Sequence, residues 1–430
     1  MISLSLFITW IVLCMCRVPF SISIGIGVLA ALIISGQPLD VIPRMMVDSV
    51  NSFELLAVPF FVVAGNLCNA VRLTERLFAF ARALVGRIPG GLAQVSIVAE
   101  MIFSGISGAA LADIAGLGPI QLQAMRKAGY PEDFSIALMI TSTCALGPII
   151  PPSIMLVVYG IATNTSVGRL LLGGIIPGAL IAVSMMFFVY LWVKIKKTTW
   201  GQPEPFHFKE VWKTFKTGSL SLLAPIIILG ALITGKATPT DVGALATAYT
   251  VFIGLYYREL KWEALRPCLI ESMTTTALIM YMVAVSAVMG WILTSERVPH
   301  EAAQIITGYI KSPFWGLMVI NGFLLIVGML METLPSLLIM SPILFPVVKM
   351  YGVDPVHFGL IICFNLGIGI ITPPVGVGLF VAARVAKVTP ERISMAVLPF
   401  YIPLIAALFV VTYFPQLTLW LPNLVFGGRP

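Results

Sequence analysis

The sequence predicts an all-α polytopic membrane protein made of two inverted-topology repeats, each with a re-entrant helical hairpin and a broken transmembrane helix. Three observations carry that expectation: composition, a repeat offset, and proline-rich interruptions inside apolar runs. Of 430 residues, 59% are hydrophobic and 10% are charged, and mean hydropathy is +1.00. Soluble domains carry about 25% charged residues, so a water-soluble fold is excluded.

Several stretches run without Asp, Glu, Lys or Arg, among them Val18 to Leu39, Phe134 to Gly168, Leu170 to Val193, Ser272 to Ser295, Phe314 to Met331 and Phe358 to Ala383. Each reaches the ~18 residues expected of a spanning helix. They are continuously apolar, without the alternation of a barrel strand, so helices are predicted. The N-terminal MISLSLFITWIVLCMC has no basic leader and no small-residue cleavage site, and is expected to be a retained helix. The six cysteines show no paired zinc spacing, and His207, His300 and His357 show no ligand spacing, which argues against a transition-metal site.

Net charge is +7, but the basic residues sit between apolar runs and form no continuous patch, so membrane topology explains them better than nucleic-acid binding. The densest group, Lys194 to Lys216, is expected to be a cytoplasmic linker (194–217) between an N-terminal half (1–193) and a C-terminal half (218–430). Counting spans outward places Arg72, Arg76, Arg126, Arg258, Lys261, Arg384, Lys387 and Arg392 on the same side.

Landmarks repeat at a constant offset. Gly105 and Gly328, like Gly129 and Gly352, lie 223 residues apart, and Pro151 and Pro373, like Pro177 and Pro399, lie 222 apart. The charge-derived topology gives the two copies opposite orientations. Inverted repeats with broken helices are the pattern of alternating-access transporters.

Within each copy the sequence marks two irregular elements. The stretch 92–122 contains Glu100, Ser104, Gly105, Ser107, Gly108 and Asp113, too polar in its middle for a span facing lipid. A hairpin turning at the Ser-Gly tip would offer hydroxyls and free carbonyls to a hard cation, although the same small residues also suit close helix packing. Its counterpart is 314–348. The apolar stretch 134–168 would rise ~52 Å as one helix against a ~30 Å hydrocarbon core. Gly147-Pro-Ile-Ile-Pro-Pro152 interrupts it, because proline removes amide donors and strands upstream carbonyls. The matching break, in 358–383, is Gly367-Ile-Gly-Ile-Ile-Thr-Pro-Pro-Val-Gly376.

Asp113 and Glu332 stand out as intramembrane carboxylates, functional by default or structural partners of a helix end. A membrane-embedded enzyme using both is the alternative from another class; it requires the two in one cavity, and the duplicated breaks argue against it. An anion channel would need a pore-lining charged ring, which the sequence does not contain. Arg297, Arg384 and Lys387 lie near span ends, where snorkelling accounts for them.

Ser104-Gly-Ile-Ser-Gly through Asp113, Gly147-Pro-Ile-Ile-Pro-Pro-Ser-Ile154, Gly328-Met-Leu-Met-Glu332, Asp354-Pro-Val-His-Phe-Gly359 and Thr372-Pro-Pro-Val-Gly376 resemble the large permease subunit of tripartite ATP-independent periplasmic (TRAP) transporters, the DctM-like family, over almost the whole chain. The resemblance implies a multi-pass bacterial inner-membrane protein, not an enzyme, that works with a small membrane subunit on a separate chain and a periplasmic substrate-binding protein. It implies no cofactor, sodium as coupling ion, and uptake of an organic anion, a dicarboxylate or sugar acid, by an elevator motion. Matched motif by motif, it implies a first sodium site at Ser104, Ser107, Gly147, Ile150 and Pro152, and a second at Gly328, Gly369, Thr372 and Val375. Substrate contacts are expected from Ser107, Thr333, Asn164 and Asn365.

Overall fold

A computed structural model describes residues 2–16, 18–71, 73–198, 200–202, 205, 207–234 and 237–427. Arg72, placed above by counting spans, lies outside them, as does Glu204 within the expected linker. All regular structure among the described residues is helical, as continuous apolar runs require where backbone polar groups must be satisfied within each segment. Six helices are long and apolar enough to cross a bilayer, or seven if the bent pair Val41–Val50 and Glu54–Ala70 counts as one span. The chain is a multi-pass membrane protein.

The two proline-rich stretches interrupt their helices. Glu132–Leu146 stops before the first and Ile154–Thr163 resumes after it. Pro355–Gly369 stops before the second and Val377–Ala386 follows. The Pro151-Pro152 and Pro373-Pro374 bonds are both cis. A 15-residue helix such as Glu132–Leu146 rises only ~22 Å, so neither broken element crosses the bilayer as one continuous rod.

These elements form the centre of the molecule. The sides of Glu132–Leu146 and Pro355–Gly369 are buried along nearly their entire length, at 13 and 14 residues respectively. The two helices meet where Gly367 passes the first break: a Cβ there would stand 2.6 Å from the Cys144 carbonyl oxygen and 3.0 Å from Pro148 Cγ. Around this centre pack Leu92–Ser107 and Ala110–Lys127 from the first half and Pro313–Leu330 and Thr333–Met350 from the second. Ala57–Ala70 packs on Pro239–Tyr256 and Trp262–Ser295, and Trp262–Ser295 also packs on Phe20–Ser35, forming a flanking wall.

Some of the basic residues assigned by charge to one side lie in two local groups. Arg76 pairs with Glu259 at 2.8 Å, and Arg126 and Arg392 share Glu132, at 2.5 and 3.5 Å. Arg126 also donates to the Ala386 carbonyl at 3.2 Å. The expected linker is more ordered than its composition implies: its first residues, Lys194 to Lys196, end the helix Ile175–Lys196, and its last ten begin the helix Phe208–Ile233. His357, in the first turn of Pro355–Gly369, is buried, its ring nitrogens bound to Thr418 Oγ1 at 2.8 Å and the Thr412 carbonyl at 3.0 Å.

Candidate functional site

The first hairpin turns at Gly108, whose φ of +63° ends Leu92–Ser107 in a conformation that glycine adopts without a Cβ penalty. Glycine is needed there a second time, because a Cβ would sit 2.2 Å from the Pro152 carbonyl oxygen. The Gly108 carbonyl accepts the Ile154 amide at 3.3 Å, so the hairpin tip is stitched to the far side of the first break. Gly147 also lies close to the returning arm, its Cβ position 3.1 Å from Ala110 Cα. Within the break, Ser153 Oγ donates to the Pro148 carbonyl at 2.6 Å. The carbonyls of Gly147, Ile150 and Pro152 accept no hydrogen bond among the described residues.

Behind this tip lie two carboxylates with no exposed surface, Glu100 and Asp113. Ser104 Oγ donates to Glu100 Oε1 at 3.4 Å, and Gln121 Nε2 donates to Glu100 Oε2 at 3.3 Å. Ser107 Oγ donates to Asp113 Oδ1, while Asp113 Oδ2 is buried without a partner. No basic side chain pairs with either acid among the described residues. A carboxylate in an apolar interior needs a proton, a cation or a full set of donors, and this cluster has an acceptor to spare.

The second hairpin uses backbone instead. Pro313–Leu330 and Thr333–Met350 are joined through Met331 and Glu332. Gly328 meets Gly369 so closely that a Cβ on Gly369 would lie 2.5 Å from Gly328 Cα. The Met329 carbonyl accepts the amides of Val375 at 3.3 Å and Gly376 at 3.4 Å, the counterpart of the Gly108–Ile154 stitch. Thr372 Oγ1 donates to the Ile368 carbonyl at 2.8 Å.

Both tips and both breaks open on one cavity of about 530 Å³. Ser107, Gly108, Pro148 and Ile154 line it from the first half, and Glu332, Thr333, Gly367 and Ile370 from the second. The flanking wall contributes Asn66, Glu271 and Thr275, with Asn66 Nδ2 held by Ser272 Oγ at 2.9 Å. No Lys or Arg lines the cavity among the described residues. What it does have is the first residues of three helices, Ala110, Ile154 and Thr333. Helix N-termini carry a partial positive charge and backbone amides, a neutral means of receiving an anion; at the second of these ends the Ile154 amide is already spent on Gly108 and the Leu156 amide on Ser153 Oγ.

The structure thus brings the residues of each predicted ion site together in pairs of segments: 104–110 against 147–154, and 328–329 against 369–376. Ser107 and Thr333 reach the cavity. Asn164 and Asn365 do not. Asn164 is an exposed C-cap at φ 52°. Asn365 is buried against Pro313–Leu330, its Nδ2 donating to Asn321 Oδ1 at 2.9 Å and to the Asn321 carbonyl at 3.1 Å. Asp113 and Glu332 do not form a catalytic pair either: Glu332 lines the cavity and Asp113 does not. Sequence reasoning undervalued Glu100, although its spacing four residues before Ser104 places both on one helix face, and missed Asn66 and Glu271, which carry no local signal.

The sequence profile described as "Tripartite ATP-independent periplasmic transporter, DctM component" matches residues 7–417. The chain is 40% identical over 420 residues to the sialic acid TRAP transporter large permease protein SiaM of Vibrio cholerae, covering 97% of this chain and 98% of that one. It is 36% identical to the C4-dicarboxylate TRAP transporter large permease protein DctM of Pseudomonas aeruginosa, covering 93% and 94%. The isethionate TRAP transporter permease protein DctMQ of Oleidesulfovibrio alaskensis is 37% identical, covering 94% of this chain and 64% of its own length. Among solved structures, the Alcanivorax borkumensis YdaH transporter superposes with a TM-score of 0.62 at 14% identity, over 88% and 89% of the two chains. That likeness is one of fold.

Proposed function

The chain belongs to the DctM family of TRAP transporter large permease subunits, and from that premise we propose that it imports an organic anion coupled to sodium by an elevator motion. The supporting observation is the single cavity on which both hairpin tips and both helix breaks open. The anion, a dicarboxylate or sugar acid, sits there against three helix N-termini and the hydroxyls of Ser107 and Thr333. Its carboxylate charge is met by oriented amides and by sodium bound just behind the tips, since no Lys or Arg lines the cavity among the described residues.

The first sodium site is formed by Ser104, Ser107 and the free carbonyls of Gly147, Ile150 and Pro152, near the buried charge of Glu100 and Asp113. The second uses carbonyls of Gly328, Gly369, Thr372 and Val375. Hard cations are held by such oxygen sets. Since the stitches tie each hairpin to its break, hairpins and broken helices move as one body. The helices Phe20–Ser35, Ala57–Ala70 and Trp262–Ser295 remain as the fixed wall. The two hairpins are re-entrant from opposite faces. Length alone does not require this, since the 18-residue arms of the second hairpin rise ~27 Å each. The meeting of both tips in one interior cavity is what favours it.

As a large permease, the chain works in the bacterial inner membrane with a small membrane subunit and a periplasmic binding protein that delivers the anion. The test is uptake by proteoliposomes holding this chain, its small subunit and its binding protein. Replacing Ser104 and Ser107 by alanine raises the sodium concentration for half-maximal uptake. Unchanged sodium dependence at normal protein levels would overturn the assignment.

A further inference from the structure

A second concavity, which shares no lining residue with the transport cavity, lies where Leu73–Val85, Phe208–Ile233 and Pro239–Tyr256 come together. It measures about 600 Å³ and is lined in part by Arg76, Lys216, Thr217, Ser219, Tyr256 and Tyr257. The Arg76 guanidinium stacks on the Tyr257 ring, 3.3 Å from its centroid, and spends Nη2 on Glu259. Its Nη1 is buried and has no partner. The Tyr257 hydroxyl donates to the Thr217 carbonyl at 3.1 Å, which fixes the ring beneath the guanidinium. Arg76 and Glu259 cancel each other's charge, so Lys216, exposed and in no ion pair among the described residues, leaves the pocket with one net positive charge.

The rim is apolar and aromatic. Phe252 and Tyr256 are 53% and 65% exposed, and Leu220 closes the inner edge. Immediately before Lys216, the exposed Phe208, Trp212 and Phe215 alternate with Lys209 and Lys213. This is the composition of a helix start at a membrane–water interface, aromatic rings at headgroup level and lysines reaching outward.

We infer that this pocket binds the phosphodiester of a membrane glycerophospholipid, with Arg76 Nη1 and Lys216 Nζ on the phosphate oxygens and the acyl chains against Leu220, Phe252 and Tyr256. An unfilled guanidinium donor is a strong ligand for a phosphate oxygen, and one net positive charge matches a singly charged diester. A soluble anion would leave the exposed aromatic rim uncovered, and this is why a lipid is favoured over free phosphate. The site shares no lining residue with the transport cavity, so bound lipid fastens Leu73–Val85 to Phe208–Ile233 without entering that cavity.

The experiment uses the full chain, delipidated in detergent, with phosphatidylglycerol, glycerol phosphate or inorganic phosphate added. Native mass spectrometry and the thermal unfolding midpoint are the readouts. Phosphatidylglycerol is expected to remain bound and to raise the midpoint, while the two soluble anions at equal concentration do not. Lys216→Gln, which breaks no ion pair, weakens apparent lipid affinity by about tenfold and leaves the lipid-free midpoint unchanged. Arg76→Gln also weakens lipid binding but lowers the lipid-free midpoint through loss of the Glu259 pair. Equal protection by inorganic phosphate would overturn the lipid assignment, as would equal lipid retention by Lys216→Gln and the parent chain.

Discussion

The two hairpins occupy equivalent places in the two halves, yet they reach the cavity by different chemistry. The first surrounds its tip with hydroxyls and carboxylates: Ser104 on Glu100, Ser107 on Asp113, and a spare carboxylate oxygen. The second has no buried acid behind its tip and relies on glycine against glycine, Gly328 on Gly369, with Glu332 facing the cavity. What the copies share is the backbone path and the stitch from tip to break. The tip-to-break contact recurs while the side-chain chemistry differs, as expected if both tips place carbonyl oxygens and only the first has buried acids behind it among the described residues.

That contrast can be broken most sharply at the glycines. Gly369→Ala and Gly108→Ala each force a methyl against backbone, at 2.5 Å and 2.2 Å, where no side chain can rotate aside. Overpacking of this kind costs ~1–3 kcal/mol or more, so uptake in proteoliposomes falls at least about tenfold for both. If either is tolerated, the corresponding tip is not held against its break.

The next effect is asymmetric. Asp113→Asn removes one charge from the first hairpin while keeping an acceptor for Ser107, and the sodium concentration for half-maximal uptake rises by roughly tenfold, the weight of ~1.5–3 kcal/mol for a charged contact. Thr372→Val, the nearest equivalent in the second half, removes a hydroxyl already spent on Ile368, so sodium dependence shifts by no more than about twofold. Equal responses measured by sodium titration would mean that the buried acids are structural.

The smallest effects separate packing from transport. Asn365→Ala loses both bonds to Asn321. It lowers the unfolding midpoint by a few degrees, for ~1 kcal/mol per lost hydrogen bond, with substrate and sodium half-saturation unchanged. Asn164→Gly keeps the left-handed C-cap and alters neither midpoint nor uptake measurably. A changed substrate half-saturation in either variant would return these amides to the binding site.

Much of this architecture was legible along the chain because its causes are local. Apolar length dictates helices in a bilayer, where nothing else satisfies the backbone. Pro151, Pro152, Pro373 and Pro374 remove donors wherever they stand, so both interruptions were readable, and Gly108 announced a turn. Ser104 and Ser107 could be matched to the first break through their motif. Only the tertiary structure decided which polar groups face the cavity, because helix packing sets the direction of a side chain. Asn365 turns to Asn321, Asn164 caps a helix end, and Asp113 faces Ser107 instead of the cavity that Glu332 lines. Asn66 and Glu271 join that cavity from helices more than 200 residues apart in sequence, and no local pattern encodes a contact between segments so distant.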